Sequence, residues 1–378
     1  MRVVVVAFYK VFPPIFGSAM VTYNFTKYLP KEKYLIQLGD PKLAKFIGDD
    51  INLITMRNNS NNVFIKLINL IRQFPIITVK ITRLKPDVLI MEGAAWSFYY
   101  LVLFFILKYC KIKAKIIYHA HCVEYLLRKE KNGKIITKVT QAAESILARN
   151  VDALFAVSEP DAAQFENIYG IKPDILPNGV DIEAFNNINE EEIYTLRKKY
   201  NLNGRILLFM GVPLFKPNKE AIAFLIEQIL PVLVKDYQDI KLVIIGGKIN
   251  YNKPWLLNPG NIPFEDVPIF IKACEICVAP IFTGSGTRLK ILEYLAAAKP
   301  VVSSLKAAEG ISVKDKENVI IAEGAGQFIE AISYLLENPE IARKIGQEGR
   351  RIVEENYPWQ KIMQDFNKTL YNLYYGTA

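Results

Sequence analysis

The strongest constraint on the fold is a short apolar run that recurs along the chain, followed each time by a polar loop and then by apolar residues at helical spacing. The first, RVVVVAFY (2–9), is almost continuously apolar. A strand of that kind must be covered on both faces, as strands in a parallel sheet flanked by helices are. The pattern recurs as KYLIQLG (33–39), INLITM (51–56), VLIME (88–92), KIIY (115–118) and VDALFAV (151–157). It restarts at ILLFMG (206–211) and continues through KLVIIGG (241–247), ICVAPIF (276–282), KPVVSS (299–304) and ENVIIAE (317–323). A chain of 378 residues is too long for one ordinary core. The prediction is therefore an α/β protein with two doubly wound domains, 1–180 and 181–357, joined near DILPNGVDIEAF (174–185).

Two apolar segments bear on where the protein works. Residues 62–86 carry apolar side chains at helical spacing, interspersed with Lys66, Arg72, Lys80, Arg83 and Lys85. They read as a core-packed helix pair with a basic outer face; the alternative partner of that face is a layer of anionic lipid headgroups. From Val88 to Leu107 only Glu92 is charged. That length approaches the roughly 20 residues that span a bilayer, but the VLIME strand and Gly93 interrupt it, so the reading is a buried strand–loop–helix. Residues 1–180 hold 24 Lys/Arg against 14 Asp/Glu, and residues 181–378 hold 23 against 24. An acidic partner is thus expected for the first half alone, if that charge is more than a solvated surface. Four cysteines give no disulfide framework and suit a reducing compartment. The Cys274/Cys277 pair sits in an apolar run and reads as core packing. The chain enters a strand at once with no leader pattern, so the expected location is cytoplasmic.

Chemistry concentrates in 279–303, APIFTGSGTRLKILEYLAAAKPVVS. A strand ends near Pro280, and a turn containing Gly284, Ser285, Gly286 and Thr287 follows. A helix then begins with Leu289, Ile291, Leu292 and Leu295 apolar. Glycines let a ligand approach the backbone, and a helix N-terminus favours an anion. Arg288 and Lys290 add positive charge. Glu293 does not help hold phosphate but is placed to accept hydrogen bonds from sugar hydroxyls. The arrangement describes a nucleotide site, and taken alone it equally fits a plain strand–turn–helix junction.

The only two histidines, His119 and His121, follow the KIIY run, at the strand end where open α/β sheets bind ligands. Glu124 lies three residues beyond His121. No further His/Cys cluster accompanies the pair, so an acid/base or sugar-contact role is favoured over metal ligation. The loop KVFPPIFGS before a helix at 19–28 places Gly17 and Ser18 at another strand–loop–helix junction. No G-x-G-x-x-G follows this strand, which weakens a dinucleotide-dehydrogenase reading.

These pieces together resemble the retaining glycosyltransferases of family 4, the group 1 glycosyl transferases. The resemblance is collinear over nearly the whole chain: the first strand with its Gly17 loop, HAHCVE, AVSEPD, PNGVD, MGVPLFKPN, VAPIFTGSGTRLKILEYLAAAKPVVS and a terminal YPW helix. It implies the GT-B architecture, two Rossmann-like domains facing across a cleft, with the C-terminal helix 358–378 crossing back to the first. The implied enzyme (EC 2.4, hexosyltransferase type) moves a sugar from a nucleotide-sugar to an acceptor with retention of anomeric configuration. No cofactor or metal is implied, and no D-x-D motif occurs.

By the resemblance, the second domain holds the donor and the first the acceptor. Glu293 matches the ribose-binding glutamate of the family's Glu-x7-Glu motif, and Ser285 stands where the first glutamate is usual. Val212 stands where an arginine is usual, leaving Lys216 or Arg288 to supply charge to the diphosphate, with Asn218 in the same loop. His121 matches the donor-site histidine. The expected acceptor is a glycan or lipid-linked glycan, as in polysaccharide biosynthesis, with peripheral contact to the inner face of an anionic membrane and no nucleic acid. A nucleotide-sugar epimerase and a catalytically silent nucleotide-sugar or polyanion-binding protein are the alternatives. Donor hydrolysis or transfer activity separates the silent protein from the transferase.

Overall fold

The computed structural model describes residues 1–14, 16–39, 50–57, 63–93, 96–131 and 133–376. In 63–68, 70 and 130–131 only the backbone is described, so the Lys66 side chain lies outside it. The chain divides into two units, Met1–Asn178 with Trp359–Ala378, and Gly179–Pro358.

The first unit is built on seven parallel strands: β1 Arg2–Ala7, β2 Glu32–Gly39, β3 Asn52–Arg57, β4 Val88–Glu92, β5 Lys115–Ala120, β6 Ala153–Ala156 and β7 Asp174–Ile175. Their order is β3-β2-β1-β4-β5-β6-β7. Helices α1 (Gly17–Lys27), α2 (Val63–Leu84) and α3 (Ser97–Tyr109) follow β1, β3 and β4. Val3, Val4, Val5 and Val6 are all fully buried, as a strand covered on both faces requires.

The second unit repeats the pattern with β8 Ile206–Met210, β9 Lys241–Ile245, β10 Leu256–Gly260, β11 Ile276–Ala279, β12 Val301–Ser303 and β13 Ile320–Ile321. The order is β10-β9-β8-β11-β12-β13, and the pairings are again parallel. In both sheets the order reverses beside the first strand, between β1 and β4 and between β8 and β11. Loops at the C-terminal ends of those four strands flank the crevice where such sheets bind ligands. Each unit is thus a Rossmann-like doubly wound domain.

One expectation is corrected, and one strand is added to those expected. Residues 62–86 form one helix rather than a pair, running through Pro75. The proline removes one backbone bond, while buried Phe74, Ile77 and Ile81 hold the turns on either side to the core. Strand β10 was missed, because Leu-Leu-Asn-Pro-Gly reads as a turn; a proline is tolerated there because β10 is an edge strand. The final helix Trp359–Tyr375 belongs to the first unit. Phe366 packs on Phe25 of α1 at 5.1 Å, and the Asn367 amide donates to the Tyr28 carbonyl at 2.9 Å. Cys274 and Cys277 are buried in the second core with their sulfurs 3.4 Å apart. Among the described residues no helix is long and apolar enough to cross a membrane.

Candidate functional site

In the first unit the register brings the chemistry together. Strands β4 and β5 pair with Glu92 opposite His119, so both side chains leave the same face at the C-terminal edge. Glu92 Oε1 lies 3.1 Å from His119 Nδ1, and Oε2 lies 2.7 Å from His121 Nε2. The Thr22 hydroxyl of α1 donates to Oε2 at 2.9 Å, and Tyr9 donates to Thr22 at 2.6 Å. A fully buried carboxylate thus accepts three hydrogen bonds. Burial by itself would raise the Glu92 carboxyl; the charge and hydrogen bond of His119, with the hydrogen bond of His121, outweigh it and hold the group well below the usual range. Burial pushes the His121 imidazole down, against the opposing pull of Glu92. The stable arrangement is an ionised Glu92 receiving Nε2–H from a neutral His121, which assigns the tautomer and leaves Nδ1 as the ring's acceptor.

His119 and His121 therefore share a carboxylate, which sequence reading had not placed beside them. The available signal was that Glu92 is the lone charge in a long apolar stretch. Among the described residues, Glu92, His119 and His121 are also the one set close enough to hold a cation. Oxygen and nitrogen ligands on a tetrahedral zinc would stand roughly 3.3 Å apart, whereas 2.7 Å is a hydrogen-bond length. Glu124 serves another end: its carboxylate accepts from the Ser97 amide at 2.6 Å and from Arg128 at 2.9 Å, tying α3 to the helix Glu124–Lys131. Gly17 and Ser18 form the first turn of α1, whose N-cap Phe16 supplies no side-chain bond to the amides there.

Gly93 follows Glu92 and donates its amide to the His119 carbonyl at 2.7 Å. A Cβ there would lie 2.7 Å from the Tyr118 ring and 2.8 Å from that carbonyl. Gly93→Ala is expected to cost about 1–3 kcal/mol by overpacking, read as a lower urea midpoint with an unchanged m-value. An unchanged midpoint would contradict this packing.

In the second unit the 283–288 loop leaves β11 and enters the helix Leu289–Ala296. Gly284 and Gly286 take φ of 95° and 81°, the left-handed region that favours glycine. Arg288 turns its guanidinium back on the loop, donating to the carbonyls of Thr283 at 3.1 Å, Ser285 at 2.6 Å and Gly286. It holds the loop's shape. The Ser285 hydroxyl is buried without a hydrogen-bond partner.

Lys290 donates to the side-chain oxygen Oδ1 of Asn218 at 2.9 Å and sits 4.3 Å from the Phe209 ring centre. Asn218 also donates to the Val212 carbonyl at 3.1 Å and fills the space beside Gly211, joining the loops that follow β8 and β11. Burial, with Arg288 adding to it, pushes the Lys290 ammonium down to about 7. Burial likewise pushes Glu293 up to about 7, opposed by Lys290. Lys216 is exposed at the start of the helix Lys216–Phe224 and pairs with Glu220 at 3.6 Å; Glu220 in turn accepts from Thr283 at 3.0 Å. Lys216, Asn218, Ser285, Gly286, Thr287, Arg288, Lys290 and Glu293 thus gather on two neighbouring loop–helix junctions at the β8/β11 switch point.

Comparison with known proteins agrees with this organisation. The family "Glycosyltransferase Family 4" matches residues 16–184, and "Glycosyl transferases group 1" matches residues 204–338. An uncharacterized glycosyltransferase of Methanocaldococcus jannaschii is 23% identical over 94% of this chain and 95% of its own. The fold is similar to that of sucrose-phosphate synthase from Thermosynechococcus elongatus, with a TM-score of 0.81, 13% identity and all of both chains covered. It is also similar to Anabaena HepE in complex with UDP-glucose, with a TM-score of 0.78, 14% identity, and 98% and 100% of the two chains covered. With one model matching each doubly wound domain, this chain belongs to the group 1, family 4 glycosyltransferases of GT-B fold.

Proposed function

We propose that the protein is a retaining glycosyltransferase that moves a sugar from a nucleotide-sugar donor to a glycan or lipid-linked acceptor without a metal ion. The observation that carries this reading is the buried, unpartnered Ser285 hydroxyl in a loop held by Arg288, which leads directly into the helix that carries Lys290 and Glu293. Loop amides and the helix N-terminus receive the diphosphate, with Lys290 and Lys216 supplying positive charge. Glu293 accepts from the ribose hydroxyls, and Ser285 bonds the transferred sugar. The uridine nucleotide sugar bound to the similarly folded HepE supports a donor of this class.

In the reaction the acceptor hydroxyl oxygen bonds the anomeric carbon on the face from which the diphosphate departs. The sugar–phosphate C–O bond breaks, and the hydroxyl proton passes to the leaving phosphate oxygen. Same-face attack needs no protein nucleophile, and the negative charge that develops is met by amides and lysine. In the first unit His121, with its Nδ1 lone pair oriented by Glu92, is the acceptor for a substrate hydroxyl.

Thermal unfolding against a panel of nucleotide sugars, with uridine donors first, tests the reading, since bound ligand raises the midpoint. Ser285→Ala is expected to weaken the intact donor by roughly 5–10-fold, one neutral hydrogen bond, and to leave the nucleoside diphosphate alone unaffected. Glu293→Ala weakens both, by more than about tenfold, because it removes bonds to a charged acceptor. Identical donor and diphosphate affinities in Ser285→Ala and wild type would remove Ser285 from the sugar subsite. Transfer in excess chelator, with the product anomer read by NMR, tests metal independence and retention.

A further inference from the structure

Helices α2 and α3 of the first unit lie side by side and leave a groove of about 590 Å³ between them, lined by Ile71, Phe74, Pro75, Val79, Phe98 and Val102 among others. The outer rim is as apolar as the groove. Phe105 is 53% and Tyr109 88% exposed, continuing the helical stripe of Phe98 and Val102. Ile76 adds a further exposed side chain beside Pro75 and Val79 on α2. A monomer rarely leaves so many large apolar side chains together in water.

The charges on the two helices themselves have one sign. Neither α2 nor α3 contains an aspartate or glutamate, while Arg72, Arg83 and Lys108 are exposed among the apolar residues. Lys85, Lys111 and Lys113, also exposed, follow the ends of the two helices. Aromatic and aliphatic side chains interspersed with Lys and Arg, on two helices that carry no acid, match an anionic lipid interface, where rings sit at headgroup depth and cations meet phosphate. A protein partner matched to this rim would need acids of its own. A second copy of the same face would bring like charges together.

We propose that the α2–α3 face docks on the surface of an anionic bilayer, inserting Ile76, Phe105 and Tyr109 while Arg72, Arg83 and Lys108 contact lipid phosphates. The proposal rests on this surface alone and not on the donor reading, so its test needs neither nucleotide sugar nor acceptor. The full chain is floated with vesicles of phosphatidylcholine and with vesicles in which part of the lipid is phosphatidylglycerol. Wild-type protein is expected to bind the anionic vesicles at low salt, to bind the neutral ones at least tenfold less, and to lose most but not all of its binding as salt screens the charge. Arg72→Glu/Arg83→Glu is expected to cut anionic binding at least tenfold. Phe105→Ser/Tyr109→Ser, at exposed positions that leave the core intact, is expected to remove the part that survives high salt.

Equal binding to both vesicle types, no binding at low salt, or binding untouched by both variants overturns the proposal. So does a wild-type dimer by light scattering that becomes monomeric in Phe105→Ser/Tyr109→Ser, which assigns the face to a second copy. Unchanged circular dichroism in the variants confirms that any loss is local.

Discussion

Glu92→Gln is expected to lower kcat by about 100-fold, the lower end of what losing one preorganised hydrogen-bonding group in a reacting site costs, with little change in donor KM. The glutamine keeps the volume of the buried site but offers an N–H where Glu92 Oε1 or Oε2 accepted one. His119 and His121 both approach these oxygens, at 3.1 and 2.7 Å, and one amide oxygen cannot serve both. With the amide nitrogen toward His121, that ring must turn or take the other tautomer; with it toward His119, His121 keeps a neutral acceptor in place of the carboxylate, and in both cases the hold on its Nδ1 acceptor weakens. The pH–rate profile separates this from simple loss of structure. Glu92 favours the charged imidazole and burial opposes it; removing the carboxylate moves the His121 transition to lower pH, so the acid limb of the profile shifts down. In a His121→Ala background the same substitution should add little further loss, because the two residues act as one unit. An acid limb that stays in place, or fully additive losses, would show that Glu92 only supports the fold.

Donor affinity is expected to be bell-shaped in pH with its maximum near 7. Glu293 and Lys290 are both held near 7 in the free protein, one raised and the other lowered by burial. Ribose hydroxyls favour the ionised Glu293, so binding below pH 7 releases a proton and weakens as pH falls. The diphosphate favours the charged Lys290, so binding above pH 7 takes up a proton and weakens as pH rises. Each limb approaches a tenfold change in Kd per pH unit. Glu293→Gln should flatten the acid limb and Lys290→Met the alkaline one. Titration calorimetry in buffers of different ionisation enthalpy reads the proton count directly. A Kd constant from pH 5.5 to 8.5, or proton uptake that survives Lys290→Met, would overturn the assignment of these two groups.

Much of this site is legible in the sequence because its parts are local. A strand, a glycine turn and a helix start are written in consecutive residues, so Gly284, Gly286, Lys290 and Glu293 can be placed along the chain at sight. Arg288 is different. Its charge suggests a phosphate ligand, but its guanidinium closes on carbonyls two, three and five residues back, a choice made by loop geometry. Asn218 and Lys290 are 72 residues apart and meet at 2.9 Å only because β8 and β11 are neighbours.

The sequence by itself determined the fold class, the two repeats and the identity of the loop–helix junctions, because burial on both faces and helix initiation depend on neighbours along the chain. Only the tertiary structure decided the strand order, the single helix through Pro75 and the pairing of Glu92 with both histidines. Strand order and register depend on contacts between distant segments: Glu92 meets His119, 27 residues later, through the β4–β5 register. A one-residue slip of that register would turn the histidine to the opposite face.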